Sequence, residues 1–157
     1  ELWPLTFSEA QRELVITLCD IIMPADDVSP NASSLGVHDF IDEWVSSPYP
    51  DQASDRKLIL KGLTWLDEEA VRQGAGKFVA LSPDQQFAVC KDLARAAMED
   101  SKKFPGSFFL RMRDLVSGGY YTTPVGMRDL QYLGNVAQAE HLGPTPEALA
   151  HLGLEAE

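Results

Sequence analysis

Histidines, cysteines and paired carboxylates are the residues most able to do chemistry, and here they are few and scattered. His38, His141 and His151 share no helical face, and no nucleophile stands near His38 in the sequence. The acidic pairs Asp26-Asp27 and Glu68-Glu69 fall on a polar loop and on an exposed helix face, where carboxylates are normally solvated. The sequence therefore predicts no catalytic residue on this chain.

Two segments superficially match ligand-binding loops. Gly74–Lys77 resembles part of a phosphate-binding loop, but Phe78 follows it and a helix precedes it, where nucleotide fingerprints require a strand. Asp27–Asn31 begins like a calcium loop, but Ala32 replaces the turn glycine and His38 stands where a bidentate glutamate is needed. We therefore expect neither a cofactor-binding nor a metal-binding residue on this chain.

The cysteines, Cys19 and Cys90, have no metal-ligand spacing. Each lies on the apolar face of its predicted helix. They are interpreted either as two small buried apolar side chains or as a disulfide between the first and fourth helices, which an oxidising compartment would permit.

Composition limits the class of partner. The chain has 157 residues, 13 of them basic and 24 acidic, which gives a net charge of −11. This charge argues against nucleic acid and anionic membranes as partners, and it favours a neutral or basic protein surface. No apolar run approaches the roughly 20 residues of a membrane span, so no direct membrane insertion is expected. The sequence begins with Glu1 and not Met, for which a removed targeting peptide is an ordinary cause.

Apolar residues recur at helical spacing, which predicts an all-α fold. We expect a single compact domain of about five helices with long irregular loops and an extended C-terminal tail. Ser8 with Gln11, and Ser82 with Gln85, form capping boxes at two helix starts. The third helix is expected to start at Ser54, and the fifth to end at Gly118-Gly119. The predicted buried stripe of the fourth helix is Phe87, Cys90, Ala94, Ala97 and Met98.

The segment from Gly118 to Asn135 differs from the amphipathic helices before it. It combines four glycines, a proline, two adjacent threonines and three tyrosines within 18 residues. This mixture favours turns and displays aromatic surface instead of extending a helix. We interpret it as a recognition surface, with the alternative that its tyrosines cover the domain's own core.

Two segments carry a resemblance to a known family. Gly119–Asn135 resembles the C-terminal motif of the gluconate 2-dehydrogenase subunit 3 family. Ile21–Asp27, followed by Ala32–Asp42, is similar to an earlier segment of the same family. The resemblance covers about residues 8–137, and residues 138–157 form the tail.

The resemblance implies a non-catalytic small subunit bound to a large flavoprotein of the glucose-methanol-choline (GMC) type. That partner would hold FAD and oxidise a sugar or glycoside, and electrons would pass to a c-type cytochrome subunit or domain that carries haem c. It further implies that the small subunit stabilises its partner and assists its twin-arginine export to the periplasm. The Pro30–Ser33 loop differs from the Pro-Gly-Ala form of the gluconate branch, which favours a glucoside or another sugar as substrate.

With this family in view, the partner interface is predicted at the motif. Aromatic residues with a polar tip are favoured at interfaces. An alternative function is a small helical ligand-binding protein or enzyme with a site between Tyr121, His38 and the Asp26-Asp27 loop; another is a helical adaptor outside redox chemistry. The predicted interface residues are Tyr120, Tyr121, Thr122, Thr123, Pro124, Gly126, Tyr132 and Asn135.

Overall fold

A computed structural model describes residues 3–132, 134, 137, 139 and 143–154. This part of the chain contains α-helices and short 3₁₀ turns but no β-strand, which confirms the predicted all-α fold. No helix in these ranges is both long enough and apolar enough to cross a membrane. The helices are α1 (Glu9–Ile22), α2 (Val37–Ser46), α3 (Pro50–Arg72), α4 (Pro83–Glu99), α5 (Gly106–Tyr121), α6 (Pro124–Asp129) and α7 (Pro146–His151).

Local capping explains where most of these helices begin. Both predicted capping boxes are present, at Ser8 before α1 and at Ser82 before α4. The prediction that α3 starts at Ser54 is wrong, because the helix already begins at Pro50. Proline has the backbone φ of a first helical residue and lacks only an N–H that would be unpaired there. Gly74, with φ of +85°, follows the end of α3 as predicted.

Helix α5 lies at the centre of the fold and packs against α2, α3, α4 and α6. At the contact with α3, a Cβ on Gly62 would lie 2.0 Å from the Phe108 ring. Only glycine admits the ring at this point. The largest fully buried side chains include Leu18, Ile41, Ile59, Leu63, Leu66, Phe78, Leu93, Phe108, Met112 and Tyr120.

The buried stripe of α4 differs from the predicted one. Phe87 and Met98 are 58% and 88% exposed, so their predicted burial is wrong. Val89 and Leu93 are buried instead, together with Cys90 and Ala97, which were predicted correctly. Helix α4 carries two apolar stripes, and its rotation against α5 determines which one is buried.

Helix α5 continues through the glycine pair that was expected to end it. Gly119 is buried, and a Cβ there would lie 2.8 Å from the Phe40 ring and 3.0 Å from Val37. Gly119 therefore permits α5 to pack closely on α2. Tertiary packing outweighs the roughly 1 kcal/mol that glycine costs within a helix.

A partly buried ion pair joins α3 to α5. Arg111 donates two hydrogen bonds to the carboxylate of Asp55, at 2.8 and 2.6 Å, and the indole of Trp44 donates a third at 2.8 Å. Burial raises the pKa of Asp55, but these hydrogen bonds and the charge of Arg111 outweigh it, so the pKa falls below its ordinary value of 3.8. The ionised carboxylate therefore stabilises the fold.

We expect Asp55→Asn to lower the free energy of unfolding at pH 7 by about 2 kcal/mol. This loss lies between the cost of breaking an exposed ion pair and the cost of breaking a buried one. Because the folded pKa is the lower one, this contribution is present above the unfolded pKa and is lost as pH falls through the folded pKa. The wild-type and variant curves of stability against pH should thus converge in acid. Urea unfolding of both proteins from pH 2 to pH 7, in steps of roughly one pH unit, measures the two curves.

Asp92→Asn is the matched control, because Asp92 pairs with Arg95 at 2.9 Å on the exposed face of α4. It should change stability by no more than about 0.5 kcal/mol. Equal effects of the two substitutions would contradict a stabilising role of the Asp55–Arg111 pair.

Candidate partner interface

The two segments that carry the family resemblance lie against each other in the fold. The hydroxyl of Tyr120, at the end of α5, donates a hydrogen bond to the carbonyl oxygen of Pro30 at 3.1 Å. The hydroxyl of Ser29 donates to a carboxylate oxygen of Asp129 at 3.2 Å. The loop after α1 is thus hydrogen-bonded to both α5 and α6, and these bonds help to hold the motif in place.

The inner half of the motif is part of the core. Tyr120 is only 2% exposed. Gly126 is also buried, and a Cβ there would lie 2.3 Å from the carbonyl oxygen of Tyr120. Tyr120 and Gly126, which were predicted at or bordering the partner contact, are thus buried within this chain, and their place in the interface stays a prediction. They hold α6 against the end of α5, and the backbone that approaches Gly126 belongs to this chain.

The two threonine hydroxyls form the turn between α5 and α6. Thr122 donates to the carbonyls of Gly118 and Gly119, at 2.9 and 3.0 Å. Thr123 caps α6 by accepting from the amide of Gly126 at 3.0 Å, and it donates to Tyr120 at 2.8 Å. Both hydroxyls are used within the chain, which fixes the geometry of the turn.

The outer half of the motif is exposed and partly apolar. Tyr121, which is half-buried, stacks edge-on against Tyr120 with ring centres 5.2 Å apart. The sequence of Met127–Leu133 predicts a short amphipathic segment that docks through Leu130 and Leu133 and leaves Tyr132 available. Leu130 is exposed instead, Tyr132 is exposed as predicted, and Leu133 lies outside the described residues. A shallow hollow of about 380 Å³ is lined by Tyr121, Thr122, Met127, Leu130 and Tyr132. We call these five residues the motif surface.

The remaining predicted interface residues have different positions. Pro124 is exposed at the first position of α6, beside the motif surface. Asn135 lies outside the described residues. The apolar side chains of Met127 and Leu130 were not among the predicted contacts, although their spacing on a short helix was a usable signal.

Comparison with known proteins identifies the family. The family model described as "Gluconate 2-dehydrogenase subunit 3" matches residues 9–138, which is most of the chain and includes both segments described above. The chain belongs to the gluconate 2-dehydrogenase subunit 3 family. Searches of curated proteins and of solved structures gave no match. Membership indicates a subunit of a dehydrogenase complex with catalytic partner subunits.

The cysteines of this subunit 3 protein are free and buried. Burial raises the pKa of both thiols to about 12, and the charge of Asp20 adds to the effect at Cys19. Thiols with so high a pKa are poor nucleophiles and poor metal ligands. The structure thus agrees with the interpretation of two small buried side chains and contains no Cys19–Cys90 disulfide.

The alternative ligand site was placed between Tyr121, His38 and the Asp26-Asp27 loop, and of these groups the Asp26 carboxylate is engaged within its own loop. A carboxylate oxygen of Asp26 accepts from the amides of Val28 and Ser29, and these backbone hydrogen bonds lower the pKa of Asp26. His38 approaches Asp39 at 3.7 Å. The Asp26 contacts stabilise the loop, whereas the Nδ1 of His38 is buried and has no hydrogen-bond partner among the described residues. Tyr121 lines the hollow of the motif surface, which neither His38 nor Asp26 lines.

His38 stands four residues before Asp42, a spacing that predicts an exposed ion pair on one helix face, but Asp42 is buried. One of its carboxylate oxygens accepts from the amides of Thr6 and Phe7, at 3.0 and 3.1 Å, and from the hydroxyl of Ser46 at 3.3 Å. Asp42 therefore binds the segment before α1 to α2. The expectation of an ion pair is wrong because the carboxylate finds backbone donors inside the fold.

The glycine-containing turn after α3 lacks the setting of a nucleotide-binding loop. The Gly74–Lys77 turn follows α3, whereas a dinucleotide fingerprint requires a strand before its glycines. The described residues also contain no cluster of three or more histidine, cysteine or acidic side chains suited to a metal ion.

Proposed function

We propose that this subunit 3 protein is the non-catalytic small subunit of an FAD-dependent sugar or glycoside dehydrogenase. In this proposal it binds and stabilises a GMC-type catalytic subunit that holds FAD. The catalytic subunit passes electrons to a c-type cytochrome that carries haem c. The two subunits travel to the periplasm together by twin-arginine export. The family match supports a role as one subunit of a dehydrogenase complex.

The observation that carries the proposal is the two-layered motif. Tyr120 and Gly126 fix the turn in the core, and the motif surface is left exposed on a rigid base. A preorganised aromatic surface binds a partner with little loss of conformational entropy. The motif surface therefore suits a stable protein contact better than a catalytic centre.

Tyr132→Ala should weaken binding of the catalytic subunit by at least tenfold, because exposed interface tyrosines are frequent hot spots. Tyr49→Ala is the matched control, since Tyr49 is 59% exposed and Tyr132 is 62% exposed. Titration of the purified catalytic subunit with each variant gives the two affinities. Equal affinities would remove Tyr132 from the interface.

The isolated chain should show no flavin absorbance and should reduce no dye with sugar substrates. The co-expressed pair should show flavin absorbance and should reduce the dye. Sugar-dependent dye reduction by the isolated chain would contradict a non-catalytic role. Fractionation of cells that express the pair, with and without a functional twin-arginine pathway, tests joint export to the periplasm.

A further inference from the structure

A second exposed apolar feature runs along helices α4 and α5. Two hollows, of about 380 and 160 Å³, share Ala94, Phe109 and Arg113 and thus form one continuous furrow. Ile21, Ile22 and Met23, at the end of α1, line one end of it. The furrow shares no residue with the motif surface.

One stripe of α4 forms a wall of the furrow. Phe87, Lys91, Ala94 and Met98 follow each other at spacings of four, three and four residues, so they lie on one face of the helix. Apart from Lys91 this stripe is apolar, and its two ends, Phe87 and Met98, are exposed. Contiguous exposed apolar surface of this kind marks interaction sites in soluble proteins.

The length of the furrow favours an elongated occupant. Phe87 and Met98 are 11 positions apart on α4, which corresponds to about 16 Å, or three helical turns. A segment of this length lies along such a groove and anchors itself through side chains on successive turns. A compact ligand would fill only one of the two hollows.

The charges of the furrow favour an acidic occupant. The chain has a net charge of −11, yet the charged side chains that line the hollows are Lys91 and Arg113. Arg113 pairs with its neighbour Asp114 at 3.3 Å, and both side chains are exposed. Such exposed pairs are weak, so the guanidinium can take a carboxylate of a partner.

We propose that the furrow binds an apolar segment of the catalytic subunit, about three helical turns long, that places carboxylates beside Lys91 and Arg113. The proposal rests on the proposed function for the identity of the partner. The small subunit thereby holds its partner at two separate surfaces, which would make the pair bind more tightly than either contact alone.

Phe87→Asp should weaken binding of the purified catalytic subunit at least tenfold, since it places a charge in the apolar stripe and repels an acidic segment. Lys91→Glu should weaken it as well, whereas Lys91→Arg should retain binding. Val71→Asp is the matched control: Val71 is 60% exposed on α3, compared with 58% for Phe87, and it lies outside both hollows. Circular dichroism checks that each variant is folded.

A photo-reactive phenylalanine analogue at Met98 identifies the occupant directly. In the assembled complex it should cross-link to an apolar peptide of the catalytic subunit that contains aspartate or glutamate. A cross-link to a second copy of this chain, a bound small amphiphile, or the absence of any cross-link would overturn the proposal.

The two interfaces can fail independently. If Tyr132→Ala weakens the complex and Phe87→Asp does not, the furrow proposal is wrong and the motif surface stands. If only Phe87→Asp weakens it, the furrow stands and the motif surface is wrong. If neither does, both surfaces are excluded as contacts with the catalytic subunit.

Discussion

Gly126→Ala is expected to destabilise the docking of α6 by about 3 kcal/mol, the upper part of the usual range for overpacked sites. The new Cβ would lie 2.3 Å from the carbonyl oxygen of Tyr120 and 2.8 Å from the Cα of Tyr121. Both are backbone atoms, which cannot move aside as a side chain can. Helix α6 must therefore shift, and the motif surface shifts with it.

Urea unfolding measures the global part of this effect. Hydrogen exchange measures the local part at the amide of Leu130, which donates to the carbonyl of Gly126 at 3.0 Å. Gly118→Ala is the control within the same motif, because a Cβ there meets nothing within 4 Å. Alanine should stabilise that helical position by roughly 0.5–1 kcal/mol. The two substitutions are expected to change the free energy of unfolding in opposite directions. A Gly126→Ala variant as stable as the wild type would contradict the close packing of α6.

Tyr120→Ala is expected to cost about 3–5 kcal/mol, as for other large aromatic side chains removed from a core. Tyr120 is 2% exposed within the hydrophobic core, and its hydroxyl bonds to Pro30 in the loop after α1. Tyr120→Phe removes only the hydrogen bond to Pro30 and should cost about 1 kcal/mol. Thermal and urea unfolding of the three proteins separate packing from hydrogen bonding.

The same pair of variants tests where Tyr120 acts. Tyr120→Phe should leave the affinity for the catalytic subunit unchanged, because the hydroxyl is bonded within the chain. Loss of affinity without loss of stability would show that the hydroxyl contacts the partner. Tyr132→Ala, by contrast, should reduce affinity and leave stability within about 0.5 kcal/mol, as is usual for exposed positions.

Features that depend on nearby residues were predictable from the sequence. The capping boxes at Ser8 and Ser82 involve residues three positions apart, so the sequence alone indicates them. Helical periodicity likewise predicted the all-α fold. The motif that resembles subunit 3 predicted the family, which the match to residues 9–138 confirms.

Features that depend on distant residues were decided only by the tertiary structure. Gly118-Gly119 was interpreted as a helix end. In the structure α5 continues through it, because Phe40 and Val37, some 80 positions away, pack so close to Gly119 that they leave no room for a Cβ. Periodicity on α4 was compatible with either apolar stripe, and packing on α5 buried the stripe of Leu93 and exposed that of Phe87.

The motif shows the same division. Its composition predicted a recognition surface and its resemblance predicted the family, but neither showed which side chains face outward. Tyr120 and Tyr132 have the same side chain. Tyr120 lies in the core because it stands at the end of α5 next to Pro30, whereas Tyr132 is exposed. Burial is a property of the neighbours that a side chain meets, and these neighbours come from parts of the chain that the local sequence does not specify.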